Sequence, residues 1–403
     1  MNSRDVLSRN FAPLRELHLV DSRTFYLGDN LMRGPSLTIG IEEEYQIVDP
    51  RTGQLHSYIT QDLKEDHLIL REFEFKPRLE QSVIEIGTNV CRTAGEAAGE
   101  LVRIRRAIAK LAAKNDLAII AAGAHPFHNP LESEYSFTPD SNLGMKQNNR
   151  VLAERRLTFS THIHITIEDR EFLIEAMNVA RYLMPHVLAL STSSPFWLGQ
   201  KTGLKSYRSL FLRNFARTGT PRIFSSWADY TGLVDMLIKT GSLQDGRGIL
   251  WDIRPNWAYP TLEFRICDVC TRIQEAVCVA SLFQAIIAKL WKLRYDNMSF
   301  RIYPSELIDE NKWRAARQGL DGTLIDFGKQ RETPARELID ELVGWFIDDV
   351  VDDLDCRQEV AYAYQIMKNG TSADRQIATL ERTGDMIDVV SQLISETNDL
   401  PDS

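Results

Sequence analysis

The sequence predicts an α+β fold built on a largely antiparallel sheet, and three features carry that expectation. Short segments alternate between apolar and polar residues with period two. The helical segments come at irregular intervals, without the regular strand–helix alternation of a doubly wound sheet. No internal repeat, low-complexity tract or Gly/Ser linker divides the chain.

Element by element, residues 1–36 mix Arg with acidic residues and read as an N-terminal extension. Residues 37–48 alternate, with Ile39, Ile41, Tyr45 and Ile47 on one face and Glu42, Glu44 and Gln46 on the other, as a half-buried strand does. Asp49-Pro-Arg-Thr-Gly53 ends that strand in a turn. A second strand-like run covers 79–89. Thr93-x-x-Glu96 then has the form of a capping box, predicting a helix through about Lys114 with Leu101, Ile104, Ile108 and Leu111 at helical spacing. Residues 117–123 and 157–167 read as further strands, and helices are expected over 171–192, 229–240, 272–295 and 334–350. Thr333-Pro334 gives the last of these a start signal, since Pro at the first helical position gives up no needed hydrogen bond. Residues 37–393 are expected to form a single domain, with 394–403 as a frayed tail.

Composition narrows the function. Lys and Arg number 47 against 56 Asp and Glu, a formal charge of -9. With no run of basic residues interleaved with aromatics, this balance argues against a dedicated nucleic-acid binder. A 43% hydrophobic content supports a large core. The N-terminus lacks a signal-peptide apolar core, and no uninterrupted apolar run is long enough for a membrane span, so a cytoplasmic protein with no membrane partner is expected. Five cysteines, an odd and sparse set, fit a reducing compartment.

The chemistry-bearing signal is a recurrence of polar strand faces that mix charges. In 159–167, His162, His164 and Thr166 oppose Phe159, Ile163, Ile165 and Ile167; in 251–254, Asp252 and Arg254 share a face; in 261–268, Thr261, Glu263 and Arg265 do. Glu42 and Glu44 lie about 6–7 Å apart along one strand face, and like charges that close raise each other's pKa unless a cation intervenes. Mg²⁺ or Mn²⁺ suits such oxygen ligands, and a nucleotide's phosphates commonly complete the shell. The plain alternative is an ordinary solvated sheet face.

Other motifs are weaker. Cys267-Asp-Val-Cys270 has no second pair at zinc spacing, and in 199–206 Lys does not directly follow the second Gly, so the Walker pattern fails. No G-x-S-x-G, G-x-G-x-x-G or H-E-x-x-H is present. Carboxylates with arginines suit phosphoryl transfer, in which metal ions and Arg neutralise the moving phosphate.

Gly40-Ile-Glu-Glu-Glu44, Glu80-Gln-Ser-Val-Ile-Glu85, Gly123-Ala-His-Pro-Phe127, His162-Ile-His164, Ser193-Ser-Pro-Phe-Trp197, Thr202-Gly-Leu-Lys-Ser-Tyr-Arg208, Arg254-Pro255, Thr261-Leu-Glu-Phe-Arg265, the stretch Asn311 to Gly322, and Gly370-Thr-Ser-Ala373 follow one another in this order. As an ordered set over about residues 37–378 they resemble the type-two glutamate–cysteine ligases, also called the carboxylate–amine ligase family. The resemblance implies a glutamine synthetase-like catalytic domain, with a curved, mainly antiparallel sheet and flanking helices. It implies an ATP- and Mg²⁺ (or Mn²⁺)-dependent ligase that forms an amide through an acyl phosphate, from amino acid substrates such as glutamate and cysteine. Its implied metal ligands are Glu42, Glu44, Glu80, Glu85 and Glu263. Arg265, Arg254 and His162 would be catalytic, and His164, Lys205, Arg208 and Arg314 would contact the cofactor. A homodimer or higher homo-oligomer is expected. Phe159-Ser160-Thr161, Asn256 and Pro260 depart from the common family pattern and leave the substrates open. The alternatives are a ligase with a different amine or peptide acceptor, a non-catalytic nucleotide- or metabolite-binding regulator, and a metal-dependent hydrolase.

Overall fold

The alternating segments assemble into one antiparallel sheet. The structure is a computed structural model and describes residues 34–56, 74–77, 83–129 and 157–400. The sheet's strands are β1 (Ile39–Val48), β2 (Glu74–Pro77), β3 (Val83–Gly87), β4 (Ala118–Ile120), β5 (Thr161–Thr166), β6 (Ile253–Pro255) and β7 (Thr261–Phe264). Their order is β6-β7-β5-β1-β3-β2, with β4 pairing β1 beyond β5 on the same edge. The turn after β1 forms as its residues demand: Gly53 donates to the Asp49 carbonyl at 2.8 Å and holds φ at +67, a left-handed value natural to Gly. The expected N-terminal extension lies outside the described residues except for 34–36. Of the run expected over 79–89, β3 is the described strand, and β2 has no counterpart in the sequence reading.

The helices are α1 (Ala94–Ala113), α2 (Arg170–Ala180), α3 (Met184–Leu190), α4 (Tyr207–Phe211), α5 (Trp227–Lys239), α6 (Ile273–Tyr295), α7 (Ser305–Gln318), α8 (Ala335–Glu341), α9 (Arg357–Asn369), α10 (Ser372–Thr383) and α11 (Met386–Thr397). Thr93 opens α1 as expected, its side chain accepting from Glu96 N at 3.2 Å. The single helix expected over 171–192 is two helices. Pro185 lies in the first turn of α3 and would deny a continuous helix a hydrogen bond to Arg181 while crowding that carbonyl. The helix expected over 334–350 is α8, with Pro334 as its N-cap, followed by a π-helical turn over Leu342–Phe346. The expected frayed tail is corrected in part. Val389, Val390, Leu393 and Thr397 recur at helical spacing and are all buried, and Thr397 Oγ1 accepts from Ala121 N at 3.0 Å, pinning α11 to the end of β4.

The core lies behind one face of the sheet. Ile39, Ile41, Ile163, Ile165, Leu262 and Phe264 pack on α2 and α6, with Phe264 stacked on Phe283 at 3.9 Å between ring centroids. Tyr45, Ile47, Ile84 and Ile86 pack with α1 and α11 in a second cluster. By length and composition α6 could cross a membrane, yet 78% of its apolar window is buried inside the protein, where it serves as the core helix. With the odd-numbered residues of β1 committed to this core, the even-numbered ones face the other way.

Candidate active site

Strand register builds the site. Glu42 of β1 pairs with His162 of β5, and Glu44 pairs with Glu85 of β3. Along the next row, Arg254 of β6 pairs with Glu263 of β7, which pairs with His164 of β5. Alternation sends these side chains to one face, so five strands deliver carboxylates, imidazoles and guanidinium groups to a common patch.

Within that patch Glu42, Glu85 and His162 each offer a ligand atom, all within 4.8 Å of one another. Two carboxylates and an imidazole that close form a natural divalent-cation set, because the cation offsets repulsion between the acids. His162 Nδ1 lies 3.3 Å from Glu42 Oε2, and its Nε2 lies 2.8 Å from Ser160 Oγ. Burial, aided by the Arg265 charge, pushes the His162 pKa down to about 4, which keeps the ring neutral and able to ligate near neutral pH. Glu44 is buried, and its Oε2 accepts from Ser160 N at 2.7 Å and Ser160 Oγ at 3.1 Å. It supports the cluster from the adjoining row.

Glu263, which the resemblance implies as a metal ligand, is held here by guanidinium groups. Arg254 Nε and Nη2 reach its two oxygens at 2.9 and 3.0 Å, Asn256 Nδ2 donates at 3.1 Å, and Arg265 Nη1 also donates. Burial opposes the charged form, but the two guanidinium groups prevail and hold its pKa well below the usual carboxylate range. Glu263 thus anchors Arg254 and Arg265, and Arg265 Nη1 also approaches His162 Nδ1 at 3.4 Å. His164 completes the row, with Nδ1 3.1 Å from Thr261 Oγ1 and Nε2 3.7 Å from Glu42 Oε1. Burial works against charging His164, yet Glu42 and Glu263 carry its pKa above the ordinary value.

The other expected contacts divide. Arg208 is buried beside the patch, donating to the carbonyls of Ile266 and Arg265 at 3.0 and 2.8 Å. Lys205 and Arg314 do not join it. Lys205 pairs with Asp374 in the first turn of α10, and Arg314 pairs with Glu310 and Glu332 at 2.8 and 2.9 Å on the outer side of α7. Arg314→Ala is therefore expected to leave kcat/KM within about twofold and stability within about 1 kcal/mol, since exposed pairs contribute little; steady-state kinetics and a urea titration check both. Glu80 lies outside the described residues.

Several residues at the site went unread in the sequence. Ser160 shares the His162 face by simple alternation and could have been found that way. Lys312 of α7 is buried and donates to both oxygens of Asp252 at 2.7 Å; no local pattern announces it. Asp268 is buried beneath the site, accepting from Ser193 N, Ser194 Oγ and Ser206 Oγ at 2.9, 2.8 and 2.8 Å. Its close neighbour Gly123 has no room for a side chain: a Cβ there would meet Asp268 Cγ at 2.7 Å. Gly123→Ala should cost roughly 1–3 kcal/mol in a urea titration, as overpacking does. All five cysteines are free and buried, and burial pushes the Cys267 thiol up to about 12, which suits neither redox nor metal duty.

Comparison with known proteins adds independent findings. The family model described as glutamate–cysteine ligase family 2 matches residues 38–392. A protein named "Putative glutamate–cysteine ligase 2" from Herpetosiphon aurantiacus is 51% identical over 360 residues, covering 89% of this chain and 93% of its own. One of the same name from Chloroflexus aurantiacus is 49% identical over 363 residues, covering 90% and 92%. Among solved structures, the glutamate–cysteine ligase of Francisella tularensis in complex with AMP superposes with a TM-score of 0.62 at 13% identity, covering 91% of this chain and 90% of that one. A bifunctional glutathione synthetase from Pasteurella multocida gives 0.63 at 13% identity, covering 90% and 52%. At these identities the structural likeness concerns the fold.

Proposed function

Because the chain belongs to glutamate–cysteine ligase family 2, an ATP-dependent ligase family, we propose that it joins the γ-carboxylate of glutamate to an amine such as that of cysteine. The observation that carries this reading is the convergence of Glu42, Glu85 and His162 beside the Arg254–Glu263–Arg265 clamp on one sheet face. In the proposed reaction the carboxylate takes the γ-phosphoryl group of ATP, releasing ADP and giving an acyl phosphate. The amine then attacks the acyl carbon, phosphate leaves, and the amine's surplus proton goes to solvent.

The residues fit a divalent ion. Glu42, Glu85 and His162 would hold Mg²⁺ or Mn²⁺, which when bound supplies positive charge to polarise the phosphate oxygens. Glu44, fixed by Ser160, keeps that end of the site negative. Arg265, aimed by Glu263 towards His162, stabilises charge on the transferring phosphoryl group, and Arg254 holds Glu263 in place. Glu263 is thus given an anchoring role in place of a ligand role. That the Francisella tularensis ligase, similar in fold, is in complex with AMP supports the use of a nucleotide by this chain. The proposal includes a glutamine synthetase-like curved sheet, a single catalytic domain over 37–393, a homo-oligomer and a cytoplasmic location.

Mass spectrometry of products formed from ATP, Mg²⁺, glutamate and a panel of amines tests the reaction. Amide appearing in step with ADP is expected. ATP left intact in every combination, or hydrolysed without amide, would contradict it.

A further inference from the structure

A short turn ahead of β6 gathers two arginines. Gly246–Gly248 form a single 3-10 turn, and Arg254 Nη1 donates to the carbonyls of Arg247, at 3.0 Å, and Ile249. The carbonyl between them, that of Gly248, accepts from Arg217 Nε at 3.1 Å. Three successive carbonyls therefore hold two guanidinium groups, one of them already bound to Glu263. The turn is fixed on both flanks. A Cβ at Gly246 would meet the Trp257 ring at 2.3 Å and one at Gly248 would meet Leu243 Cδ2 at 2.4 Å, so only glycine lets these neighbours approach.

Arg217 is itself constrained. It is half-buried, its carbonyl accepts from Leu250 N at 2.8 Å, and its backbone sits at φ +61, a left-handed value that strains a residue with a Cβ. Strain of this kind persists where the surroundings enforce it, and it clusters at ligand sites. Among the described residues Arg247, Arg254 and Arg265 each pair with a carboxylate, whereas Arg217 forms no ion pair. With Nε committed to Gly248, the two terminal nitrogens are left for another acceptor. An arginine without an acid is ordinary on an open surface; a half-buried one, aimed by its own Nε, is pre-organised for a bidentate oxyanion.

The charge of the site points the same way. It runs from Glu42, Glu44 and Glu85 on β1 and β3 to Arg254 on the edge strand β6, with Arg217 on the turn that Arg254 reaches. A substrate whose reacting group lies at the acidic end beside a cation carries its second anionic group towards the arginine end. Resting on the ligase reading above, we infer that Arg217 is an oxyanion-binding residue, taking a substrate carboxylate or a nucleotide phosphate through its two terminal nitrogens.

Arg217→Gln is the deciding variant. The glutamine amide nitrogen occupies the chain position of arginine Nε, so it can still donate to Gly248 while the terminal charge is gone. Steady-state kinetics on the full chain, with MgATP, glutamate and cysteine varied in turn, should show KM raised about tenfold or more for the substrate that carries the oxyanion, a loss typical of a hydrogen bond to a charged group. The other two KM values should stay within about twofold and kcat within about threefold, since the contact is one of binding. A rise confined to ATP assigns a phosphate, and one confined to glutamate or cysteine a carboxylate. Arg217→Lys should recover part of the affinity by restoring charge without the fork. That KM should also climb more steeply with salt in the wild type than in Arg217→Gln. Arg217→Met removes the Nε bond as well. Loss in Arg217→Met with wild-type behaviour in Arg217→Gln would show that Arg217 only props the turn and would overturn the inference, as would unchanged KM values in both. If the wild-type chain forms no amide, the ligase reading has failed separately. Calorimetric titration with MgATP and with glutamate then decides: affinity lost in Arg217→Gln supports the oxyanion role, whereas equal affinity in both proteins, or no binding to the wild type, overturns it.

Discussion

Glu42→Ala and Glu85→Ala are each expected to lower kcat/KM by about two to three powers of ten while the chain keeps its fold. The two carboxylates come from neighbouring strands and lie within 4.8 Å of His162, so in the proposed cation site losing either would leave the ligand set incomplete and remove charge stabilisation from the phosphoryl transfer. Folding should tolerate the change, because these side chains project from the sheet face opposite the two apolar clusters. Removing a repelling carboxylate can even stabilise the metal-free chain. The readouts are steady-state kinetics, thermal unfolding, and a Mn²⁺ titration in which affinity falls in parallel with activity. Near-normal turnover in both variants would contradict the assignment.

The largest stability effect is expected one residue away. Glu43 points to the core side of β1 and is fully buried with Arg105 of α1. Arg105 Nε and Nη2 reach the Glu43 oxygens at 3.0 and 2.7 Å, its guanidinium also donates to the carbonyls of Cys270 and Thr271 at 2.8 and 2.5 Å, and it lies over the Tyr45 ring at 5.5 Å. Tyr45 donates to the same carboxylate, and burial together with the Glu43 charge holds its hydroxyl pKa well above the ordinary value. Arg105→Ala leaves a buried carboxylate without its cation, which costs about 3–5 kcal/mol. The double substitution Glu43→Leu with Arg105→Met removes both charges and should recover most of that loss. Urea unfolding of the three proteins measures it. Two neighbouring glutamates are thus expected to differ in kind: loss of Glu43 should impair folding, and loss of Glu42 should impair chemistry.

Residues 37–48 also show how far the sequence could be read. Alternation assigned Glu42 and Glu44 to one face correctly because it needs only local spacing. It said nothing of Glu43, whose partner lies 62 residues away in another element. The same division recurs elsewhere. The capping residue of α1 was legible because a cap is local, whereas the break between α2 and α3 turned on Pro185 inside an apolar run. Along α7, Lys312 and Arg314 are two positions apart, a rotation of about 200°. The motif that contains both could not reveal that Lys312 is buried against Asp252 while Arg314 pairs on the outer side. Glu263 was placed on the right face with Arg265, but its saturation by Arg254, Arg265 and Asn256 depends on cross-strand geometry that one segment does not contain.

The central claim is that Glu42, Glu85 and His162 hold a divalent ion against a nucleotide's terminal phosphate. Crystals grown with Mn²⁺ and a non-hydrolysable ATP analogue test it through the anomalous difference map. The account predicts a peak at coordination distance, roughly 2.0–2.3 Å, from all three side chains. A map in which Mn²⁺ and the γ-phosphate lie on another surface, with this cluster bare, would contradict it.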